Sequence, residues 1–527
     1  MHFLCLMSLI LLAFSIVPKN EAFRSPNHPG RKIVVAKFAS ADISTTVARE
    51  VRDDNEVNTG RGNLDSCELA SEGMLTNDCE NDGQYVRREN MKTKPSVWSV
   101  FGDLAAETGG NNLGQGFPDW DPPKFMLDAL RDAIDTPFHQ YTRPAGHPPL
   151  VKNLAERYGK HMDRKIDPFS EVTVTVGASQ ALFLSLQTLL KPGDEIAMFD
   201  PYFDLYLKQV KAVAPQCEPK FITLGCTGGE NGAENPRVSE RDSWALDVAS
   251  LEAAITDKTR VLLLNSPHNP TGKVFSLEEL EIIAEVVKKY PNLVVLSDEV
   301  YKYSVYDAIE QGDSTAQGHY HFARLPGMWD RTITLSSAGK TFSATGWQIG
   351  WMVGPDHFMR PVHDLIPCVQ FCANTPAQHA LCSALERANK PFEGEVDFYA
   401  WLRLQFMSKR AVLEEGLRTA GMTPIPSNGG YFLMAKLPDH HPLVPADGAD
   451  DDSDDGEPYD WRYCRMLARE YGVVGIPTST FFSQERFEPG KGGKRNWYAR
   501  FALCKKDKTI VEAAERLRVN AHKGQWP

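Results

Sequence analysis

The sequence predicts an α/β fold, with a mostly parallel central sheet that carries helices on both faces and a smaller α+β domain. Strand-like and helix-like segments alternate between residues 171 and 353, which is the pattern of a parallel sheet. Polar residues follow several of these strands, at the edge where open α/β sheets bind ligands. The tail from Gly421 carries further strands, and we assign it, with the N-terminal part of the fold, to the smaller domain.

The composition excludes several classes of protein. A length of 527 residues suffices for two or three domains, and a net charge of −12 does not favour binding to nucleic acid or anionic membranes. The ten cysteines include no CxxC pair, which argues against a disulfide framework or zinc site and for free thiols in a reducing compartment. The acidic stretch 446–456 loosely resembles a calcium loop but lacks the closing glutamate, so we predict a solvated loop and no metal.

The first 94 residues are predicted to lie outside the folded domains. Residues 1–22 have the pattern of a signal peptide, and residues 23–47 are a possible transit peptide that begins at Phe23 with a basic, acid-poor stretch. This pair resembles the two-part presequence of complex plastids, so a plastid is the predicted destination. Another secretory destination or the mitochondrion is the alternative. Residues 48–94 are polar and are predicted to be a disordered linker.

Three segments make up the predicted folded part. Residues 95–140 form an N-terminal arm and part of the small domain, residues 141–390 form the large domain, and residues 391–527 form the C-terminal small domain. Two loops rich in glycine and proline, at 112–119 and 140–150, allow backbone N–H groups to approach a ligand.

The elements of the fold follow from residue periodicity and from turn residues. Strands are predicted at residues 172–176, 195–199, 260–265, 293–297, 332–336, 347–353, 431–435 and 498–502. Helices are predicted at residues 181–190, 276–290 and over a long stretch from 376 to 419. The helix from Ser276 begins with a capping box, because Glu279 follows three residues later.

Lys340 lies in a loop of small residues just after the strand 332–336, with Ser337 three positions earlier. A lone lysine in a loop is usually solvated. A lysine that binds a carbonyl cofactor covalently, however, is the anchor of pyridoxal-phosphate (PLP) enzymes. Ser337 would then bind the cofactor phosphate. Residues elsewhere in the chain favour this interpretation over a solvated lysine.

The cofactor ring has candidate partners at other strand ends. Asp298 follows the strand 293–297 and is placed to keep the pyridine nitrogen protonated, although a helix N-cap is a common role for such an aspartate. Tyr301 and Asn269 are candidates to hydrogen-bond the ring oxygen, although Asn-Pro-Thr-Gly is also ordinary turn chemistry. Phe203 is a candidate to stack on the ring, and the commoner fate of such a residue is the core.

Two anionic groups also have candidate sites. The backbone N–H groups of Gly177, Ala178 and Ser179 precede the predicted helix 181–190, where the helix dipole favours a phosphate. Arg500 lies in the strand 498–502, and its guanidinium matches a substrate carboxylate. The alternative for Arg500 is a surface position.

Five segments together resemble the class I and II aminotransferases of PLP fold type I. They are residues 114–119 (GQGFPD), 265–272 (NSPHNPTG), 297–301 (SDEVY), 336–347 (SSAGKTFSATGW) and 498–501 (YARF). Within that family, the sequence is most similar to the kynurenine aminotransferase group, whose members are also called glutamine transaminase K or cysteine-S-conjugate β-lyase. The likeness runs from about residue 95 to the C-terminus.

The resemblance implies a role for each matching residue. It implies that Lys340 is the PLP lysine, and that Gly116, Asn269 and Arg500 contact the substrate carboxylate. It also implies a homodimer in which Tyr141 reaches the cofactor phosphate of the neighbouring subunit.

The sequence departs from the family at two places. Relatives usually carry a basic residue eight positions after the PLP lysine, where this chain has Gln348. Members of the kynurenine group tend to carry Phe-His where this chain has Phe371 and Cys372. Trp98, in contrast, matches a pocket aromatic residue of that group.

We therefore predict a PLP-dependent aminotransferase with a ping-pong mechanism, in which Lys340 moves the substrate Cα proton. The predicted amino donor is an L-amino acid of the aromatic, glutamine, methionine or kynurenine type, and the acceptor is a 2-oxo acid. One alternative is β-elimination from cysteine conjugates at the same site. Another is a non-catalytic PLP-binding regulator, which the acidic charge and the non-helical N-terminal segment disfavour. No nucleic acid or membrane partner is expected for the mature protein.

Overall fold

The structure is a computed structural model that describes residues 23–24, 31–40, 43–52, 95–226, 244–306, 318–441, 444, 457–483 and 497–523. The chain divides into two compact units, Met1–Glu89 and Asn90–Pro527. In the described residues no helix is long and apolar enough to span a bilayer.

The first unit contains a small antiparallel sheet. Its strands are β1 (Phe23–Arg24), β2 (Arg31–Ser40) and β3 (Ile43–Arg52), in the order β1-β2-β3. The sequence predicts no strand in this region. The predicted signal peptide lies outside the described residues, and the plastid presequence stays a prediction.

The second unit alternates strands and helices over most of its length. Its strands are β4 (Asn111–Asn112), β5 (Val172–Val176), β6 (Glu195–Asp200), β7 (Glu218–Cys226), β8 (Trp244–Leu246), β9 (Thr259–Asn265), β10 (Val294–Asp298), β11 (Thr332–Ser337), β12 (Ile349–Val353), β13 (Thr423–Pro424), β14 (Phe432–Lys436), β15 (Val473–Val474), β16 (Ile476–Pro477) and β17 (Tyr498–Ala502). Its helices are α1 (Val97–Thr108), α2 (Lys124–Ile134), α3 (Pro148–Met162), α4 (Gly177–Leu189), α5 (Asp204–Val213), α6 (Val248–Ala254), α7 (Leu277–Lys289), α8 (Ala338–Thr341), α9 (Asp356–Val369), α10 (Thr375–Arg387), α11 (Phe398–Thr419), α12 (Tyr459–Met466) and α13 (Asp507–Lys523).

The central sheet has eight strands in the order β5-β12-β11-β10-β9-β6-β7-β8. Strands β11, β10, β9, β6 and β7 run parallel to one another, whereas β12 runs antiparallel to both of its neighbours. Strands β9, β10 and β11 are almost entirely buried, because helices cover both faces of the sheet. The predicted α/β fold with a mostly parallel sheet is confirmed.

The register of the sheet brings ligand-binding residues together. Asp298 at the end of β10 pairs with Asn265 at the end of β9 and with Leu335 of β11. The carboxyl ends of β9, β10 and β11 therefore form one edge, and the segment that contains Lys340 leaves the sheet there.

Two helices differ in extent from the prediction. Helix α4 begins at Gly177, four residues earlier than predicted, so the Gly177–Ser179 segment belongs to its first turn. The predicted long stretch from 376 to 419 is two helices, α10 and α11. Pro391 and the left-handed Gly394 lie in the break, and the Asp397 side chain caps the next helix.

A second sheet of four strands, in the order β13-β14-β17-β16, lies in the C-terminal part and carries Arg500 on β17. Strand β4, from the N-terminal part, pairs in parallel with β15. The N-terminal arm and the C-terminal tail are thus hydrogen-bonded to each other. The predicted domain boundaries inside the second unit stay predictions.

Candidate active site

A cavity of about 480 Å³ opens at the carboxyl edge of the central sheet. Its lining includes all but one of the site residues predicted from the sequence: Trp98, Gly116, Gly177, Ala178, Ser179, Phe203, Asn269, Asp298, Tyr301, Ser337, Lys340 and Arg500. These residues come from segments more than 400 positions apart in the chain, so the fold itself assembles the site.

Lys340 extends into this cavity from the short helix α8. Its Nζ donates a hydrogen bond to the Gly116 carbonyl at 2.9 Å and lies 5.9 Å from the ring centre of Tyr301. Burial lowers the pKa of the ammonium, and the Arg500 charge adds to this effect, while Asp298 opposes it. A larger fraction of the amine is therefore neutral, which is the form able to attack a carbonyl carbon or accept a proton.

Asp298 is held by Tyr206 and by the backbone. The Tyr206 hydroxyl donates to its Oδ2 at 2.6 Å, and the Val300 N–H donates to its Oδ1 at 3.3 Å. Burial raises the pKa of Asp298 to about 6, although the hydrogen bond from Tyr206 opposes the rise. No helix begins at Asp298 in the described residues that follow it, so it does not act as a helix N-cap.

Arg500 is only 1% exposed. Its guanidinium donates to the Asn269 Oδ1 at 2.9 Å and to the Gly114 carbonyl at 3.0 Å, and it lies 3.8 Å from the ring centre of Phe432. Its Nε has no hydrogen-bond partner, and no carboxylate of the described residues forms an ion pair with it. Burial lowers the pKa of Arg500 to about 10, against the opposing effect of Tyr301.

A buried cation without an anion is costly, so this arrangement indicates a carboxylate that arrives with the substrate.

Gly116 lies beside the Phe432 ring that also contacts Arg500. A Cβ at position 116 would come within 2.4 Å of that ring. Only glycine therefore fits here. Because its carbonyl also binds Lys340, the Gly116 loop joins the lysine and the arginine sides of the cavity.

The predicted phosphate site needs one correction. The Gly177 N–H donates to the Gln348 carbonyl at 2.8 Å, so it is not free for an anion. The N–H groups of Ala178 and Ser179 in the first turn of α4, and the Ser337 side chain, remain as donors.

Gln348 does not supply a charge to this end of the cavity. Its Nε2 donates to the Thr345 carbonyl at 2.6 Å. Among the residues that line the cavity, only Lys340 and Arg500 are basic, and both have other partners.

Tyr141 is the one predicted residue that does not line the cavity. It is 80% exposed and packs against Phe371, with 4.6 Å between the ring centres. Phe371 is itself 48% exposed and has a left-handed φ of 63°. The role of Tyr141 at a neighbouring subunit stays a prediction.

Sequence reasoning missed several aromatic residues of the site, among them Tyr206, Tyr431 and the Phe432 ring beside Arg500. Tyr206 orients Asp298, and the Tyr431 hydroxyl donates to the backbone carbonyl of Lys340. The signal for Tyr206 was its position three residues after Phe203, which places both at the start of α5. The signal for Tyr431 was the aromatic pair at the start of a predicted strand.

These residues fit the predicted cofactor. Lys340 has a lowered pKa and faces the cavity, Asp298 offers a carboxyl to a ring nitrogen, and the first turn of α4 offers N–H groups to a phosphate. The Phe203 ring lies at the same cavity, as a ring-stacking residue must.

Comparison with known families and proteins identifies close relatives. The profile of aminotransferase class I and II matches residues 109–490. A kynurenine–oxoglutarate transaminase of Dictyostelium discoideum is 37% identical over 452 residues, which cover 84% of this chain and 99% of the relative. Kynurenine–oxoglutarate transaminase 1 of Rattus norvegicus is 39% identical over 431 residues, which cover 80% of this chain and 95% of the relative.

Solved structures show the same fold. The N-succinyldiaminopimelate aminotransferase of Mycobacterium tuberculosis has a TM-score of 0.66 and 35% identity, and the match covers 81% of this chain and 97% of that one. Bna3p of Saccharomyces cerevisiae has a TM-score of 0.70 and 28% identity, with coverage of 82% and 97%.

Proposed function

This chain belongs to the class I and II aminotransferase family, and from that premise we propose that it transfers the amino group of kynurenine or another aromatic L-amino acid to 2-oxoglutarate. PLP-dependent transamination between an amino acid and a 2-oxo acid is the activity of the chain itself. The choice of kynurenine and 2-oxoglutarate rests on the names of its relatives and on the aromatic cavity.

The observation that carries the proposal is the buried, uncompensated Arg500. Its guanidinium, with Asn269 beside it, is placed to bind the α-carboxylate that every amino-acid and 2-oxo-acid substrate carries. This contact orients the bond between Cα and its hydrogen relative to Lys340. Because both half-reactions use a carboxylate substrate, one arginine serves both.

Bound PLP supplies an electron sink that makes the substrate Cα–H acidic. Lys340 Nζ is the group placed to take that proton and return it, because burial lowers its pKa and keeps part of the amine neutral. Asp298 would hold the ring nitrogen of the cofactor, and Tyr206 fixes the orientation of Asp298 through its hydroxyl. The Tyr431 hydroxyl holds the Lys340 backbone by donating to its carbonyl.

The substrate side chain would lie among aromatic residues. Trp98 lines the cavity, packs 5.9 Å from Phe481 and donates its Nε1–H to the Asp204 Oδ2 at 3.1 Å. Phe203 and Phe117 line the same cavity. These aromatic side chains favour an aromatic substrate, because a pair of aromatic rings is stabilised by more than the burial of its apolar surface.

The experiment is a matrix of amino donors and oxo acceptors on the purified, PLP-loaded protein. Kynurenine, phenylalanine, glutamine and methionine should be accepted, and aspartate is the control without an apolar side chain. A preference for aspartate would overturn the proposed donor class while leaving the family intact. Pyruvate release from a cysteine conjugate in the same assays measures the alternative β-elimination.

We also propose that the protein acts as a homodimer in which Tyr141 reaches the cofactor phosphate of the partner. The exposed aromatic pair of Tyr141 and Phe371 supports this, because large exposed aromatic side chains mark interaction surfaces. Mixing two inactive variants, Tyr141→Ala and Lys340→Ala, should produce hybrid dimers with one fully intact site. No recovery of activity in a confirmed hybrid would contradict the shared site.

The proposed destination is a plastid. The support is the apolar segment at residues 1–22 followed by the basic, acid-poor stretch from Phe23. A fluorescent protein fused after residue 94 should accumulate in the plastid of an alga with complex plastids. Accumulation in the secretory pathway or the mitochondrion would select one of the alternatives.

A further inference from the structure

A second cluster of titratable side chains lies next to the active site but outside its cavity. Glu299 directly follows Asp298, and His319 and His321 precede a short 3-10 helix at Phe322–Arg324. The Glu299 Oε2 lies 2.6 Å from the His321 Nδ1 and 3.2 Å from the His319 Nε2. All three side chains are buried: Glu299 is 0% exposed, His319 is 1% exposed and His321 is 5% exposed.

The hydrogen bonds of this cluster are incomplete. The His319 Nε2 approaches the Glu299 Oε2 at 3.2 Å but not in hydrogen-bonding geometry, and the His319 Nδ1 has no hydrogen-bond partner among the described residues. The Nδ1 of His161 is also buried and unpartnered, and its ring stacks on that of His321 with 5.4 Å between the centres. Buried polar atoms are nearly always satisfied, so these nitrogens point to a partner that protein atoms do not provide.

We propose that Glu299, His319 and His321 bind one divalent transition-metal ion of the Zn²⁺ type. The three ligand atoms lie within 4.8 Å of one another, and one carboxylate oxygen with two imidazole nitrogens is a donor set that Zn²⁺ takes. The fourth position is open to water. Bond lengths of about 2.0–2.2 Å hold tetrahedral ligand atoms roughly 3.4 Å apart. Metal binding would therefore lengthen the 2.6 Å distance between the Glu299 Oε2 and the His321 Nδ1 by less than about 1 Å.

One nearby charge opposes the ion. Lys302 is buried, and its Nζ lies 3.8 Å from the ring centre of Tyr158, with no hydrogen-bond partner that the described residues supply. A second cation in a region of low dielectric weakens metal binding. The opposition gives a specific test, since removal of the Lys302 charge should strengthen metal binding if the ion is where we place it.

The ion would have a structural role, because none of its three ligands lines the active-site cavity. Glu299 lies between Asp298 and Tyr301, so a metal on Glu299 would link the end of β10 to the segment before Phe322. We expect the ion to stabilise this edge of the sheet. The inference does not depend on which substrate the enzyme uses.

The first experiment uses the full-length, PLP-loaded protein. After treatment with a chelator and dialysis, Zn²⁺ should bind at one ion per chain and raise the melting temperature, while Mg²⁺ at the same concentration should not, because it prefers oxygen ligands. Anomalous diffraction at the zinc edge should place the ion between Glu299 and the two imidazoles. Sub-stoichiometric zinc with no thermal shift, or an anomalous peak elsewhere, would overturn the proposal.

Variants separate this site from adventitious binding. His319→Asn and His321→Asn should each weaken zinc binding by on the order of 100-fold or more, since even residues that only support a ligand contribute about 10- to 100-fold. Lys302→Met should tighten binding instead. The matched control is His357→Asn, at an exposed histidine on α9, which should bind zinc like the wild type. Unchanged affinity in the two ligand variants would contradict the site, and the wild-type diffraction result decides the case if they do not fold.

Discussion

Asp298 and Glu299 are consecutive carboxyl groups at the end of one strand, yet the protein shifts their pKa values in opposite directions. Burial raises the pKa of Asp298 to about 6, because the neutral hydroxyl of Tyr206 opposes the rise only in part. Glu299 is as deeply buried, but two imidazoles approach one of its oxygens and hold its pKa low. The difference shows that the partner, and not the depth of burial, decides which carboxyl group keeps its charge.

The comparison extends to function. Groups that line the cavity lack a full complement of charge partners: among the described residues, Asp298 has no cation in direct contact, and Arg500 has no anion. A protonated cofactor nitrogen and a substrate carboxylate would supply what each lacks. The Glu299 carboxylate lies against two imidazoles of the protein itself, so the cluster does not need a substrate to supply its partners. The cavity is thus built for ligands, whereas the cluster needs at most a metal ion.

The largest expected effect comes from the lysine of the cavity. Lys340→Ala should abolish transamination, because no other amine of the described residues lines the cavity at that position. Borohydride treatment of the wild type should attach the cofactor permanently to the peptide that contains Lys340, as mass spectrometry can show. Substantial turnover in the variant would remove Lys340 from its assigned role.

Asp298→Asn should lower kcat by on the order of 100-fold, because loss of one charge in a buried charge pair costs about 2–5 kcal/mol. The same change should stabilise the cofactor-free protein by about 1–3 kcal/mol at neutral pH. A carboxyl group whose folded pKa is raised loses its contribution to stability as the pH rises through that pKa, about 6 here.

Kinetics on the PLP-loaded variant and urea unfolding of the cofactor-free variant test the two effects separately. Tyr206→Phe is the matched control, since it keeps the carboxyl group but removes its hydrogen bond. A variant with wild-type kcat and unchanged stability would show that Asp298 is an ordinary turn residue.

The cluster should respond to pH in the opposite sense from Asp298. The folded pKa of His321 is lowered to about 4 from 6.5, so the unfolded protein binds more protons between these values. In the presence of a chelator, the free energy of unfolding should therefore fall by up to about 3 kcal/mol as the pH drops through this window. His321→Asn should flatten the slope in urea titrations at several pH values. The neighbouring charges of Glu299 and Lys302 remain in that variant, and an unchanged slope would assign the effect to them.

The smallest effect is expected at the phosphate end of the cavity. Gln348→Lys should slow the loss of PLP on dialysis several-fold, because a charge-assisted hydrogen bond is roughly twice as strong as a neutral one. Gln348→Glu should accelerate the loss. Cofactor release followed by absorbance measures both rates, and equal rates in the three proteins would mean that a more distant cation already serves the phosphate.

The sequence predicted the alternating sheet and most of the cavity because these features are local. Strand ends are marked by changes in composition, and residues such as Lys340 and Asp298 lie directly after them. The capping box at Ser276 was confirmed with both of its hydrogen bonds for the same reason. The break between α10 and α11 was missed because helical periodicity continues on both sides of it.

Features that depend on tertiary contacts could not be predicted. The Gly177 N–H is occupied by a carbonyl from Gln348, which lies far away in the sequence. His319 and His321 meet Glu299 only because their segment folds over the end of β10. No spacing in the sequence marks these pairs, since loop closure brings them together.

The central claim is that the cavity leaves Arg500 without an anion so that a substrate carboxylate can bind it. The most direct test compares kcat/KM for phenylalanine and for 2-phenylethylamine, which lacks the carboxylate, in the wild type, in Arg500→Ala and in Arg500→Lys. We predict that the wild type prefers phenylalanine by roughly 30-fold or more, from a charge-pair contribution of about 2–5 kcal/mol. Arg500→Ala should lose most of that preference while its bound cofactor keeps the wild-type spectrum. Arg500→Lys should recover little, because an ammonium cannot reproduce the two-pronged contact. The same preference in the wild type and in Arg500→Ala would contradict the claim.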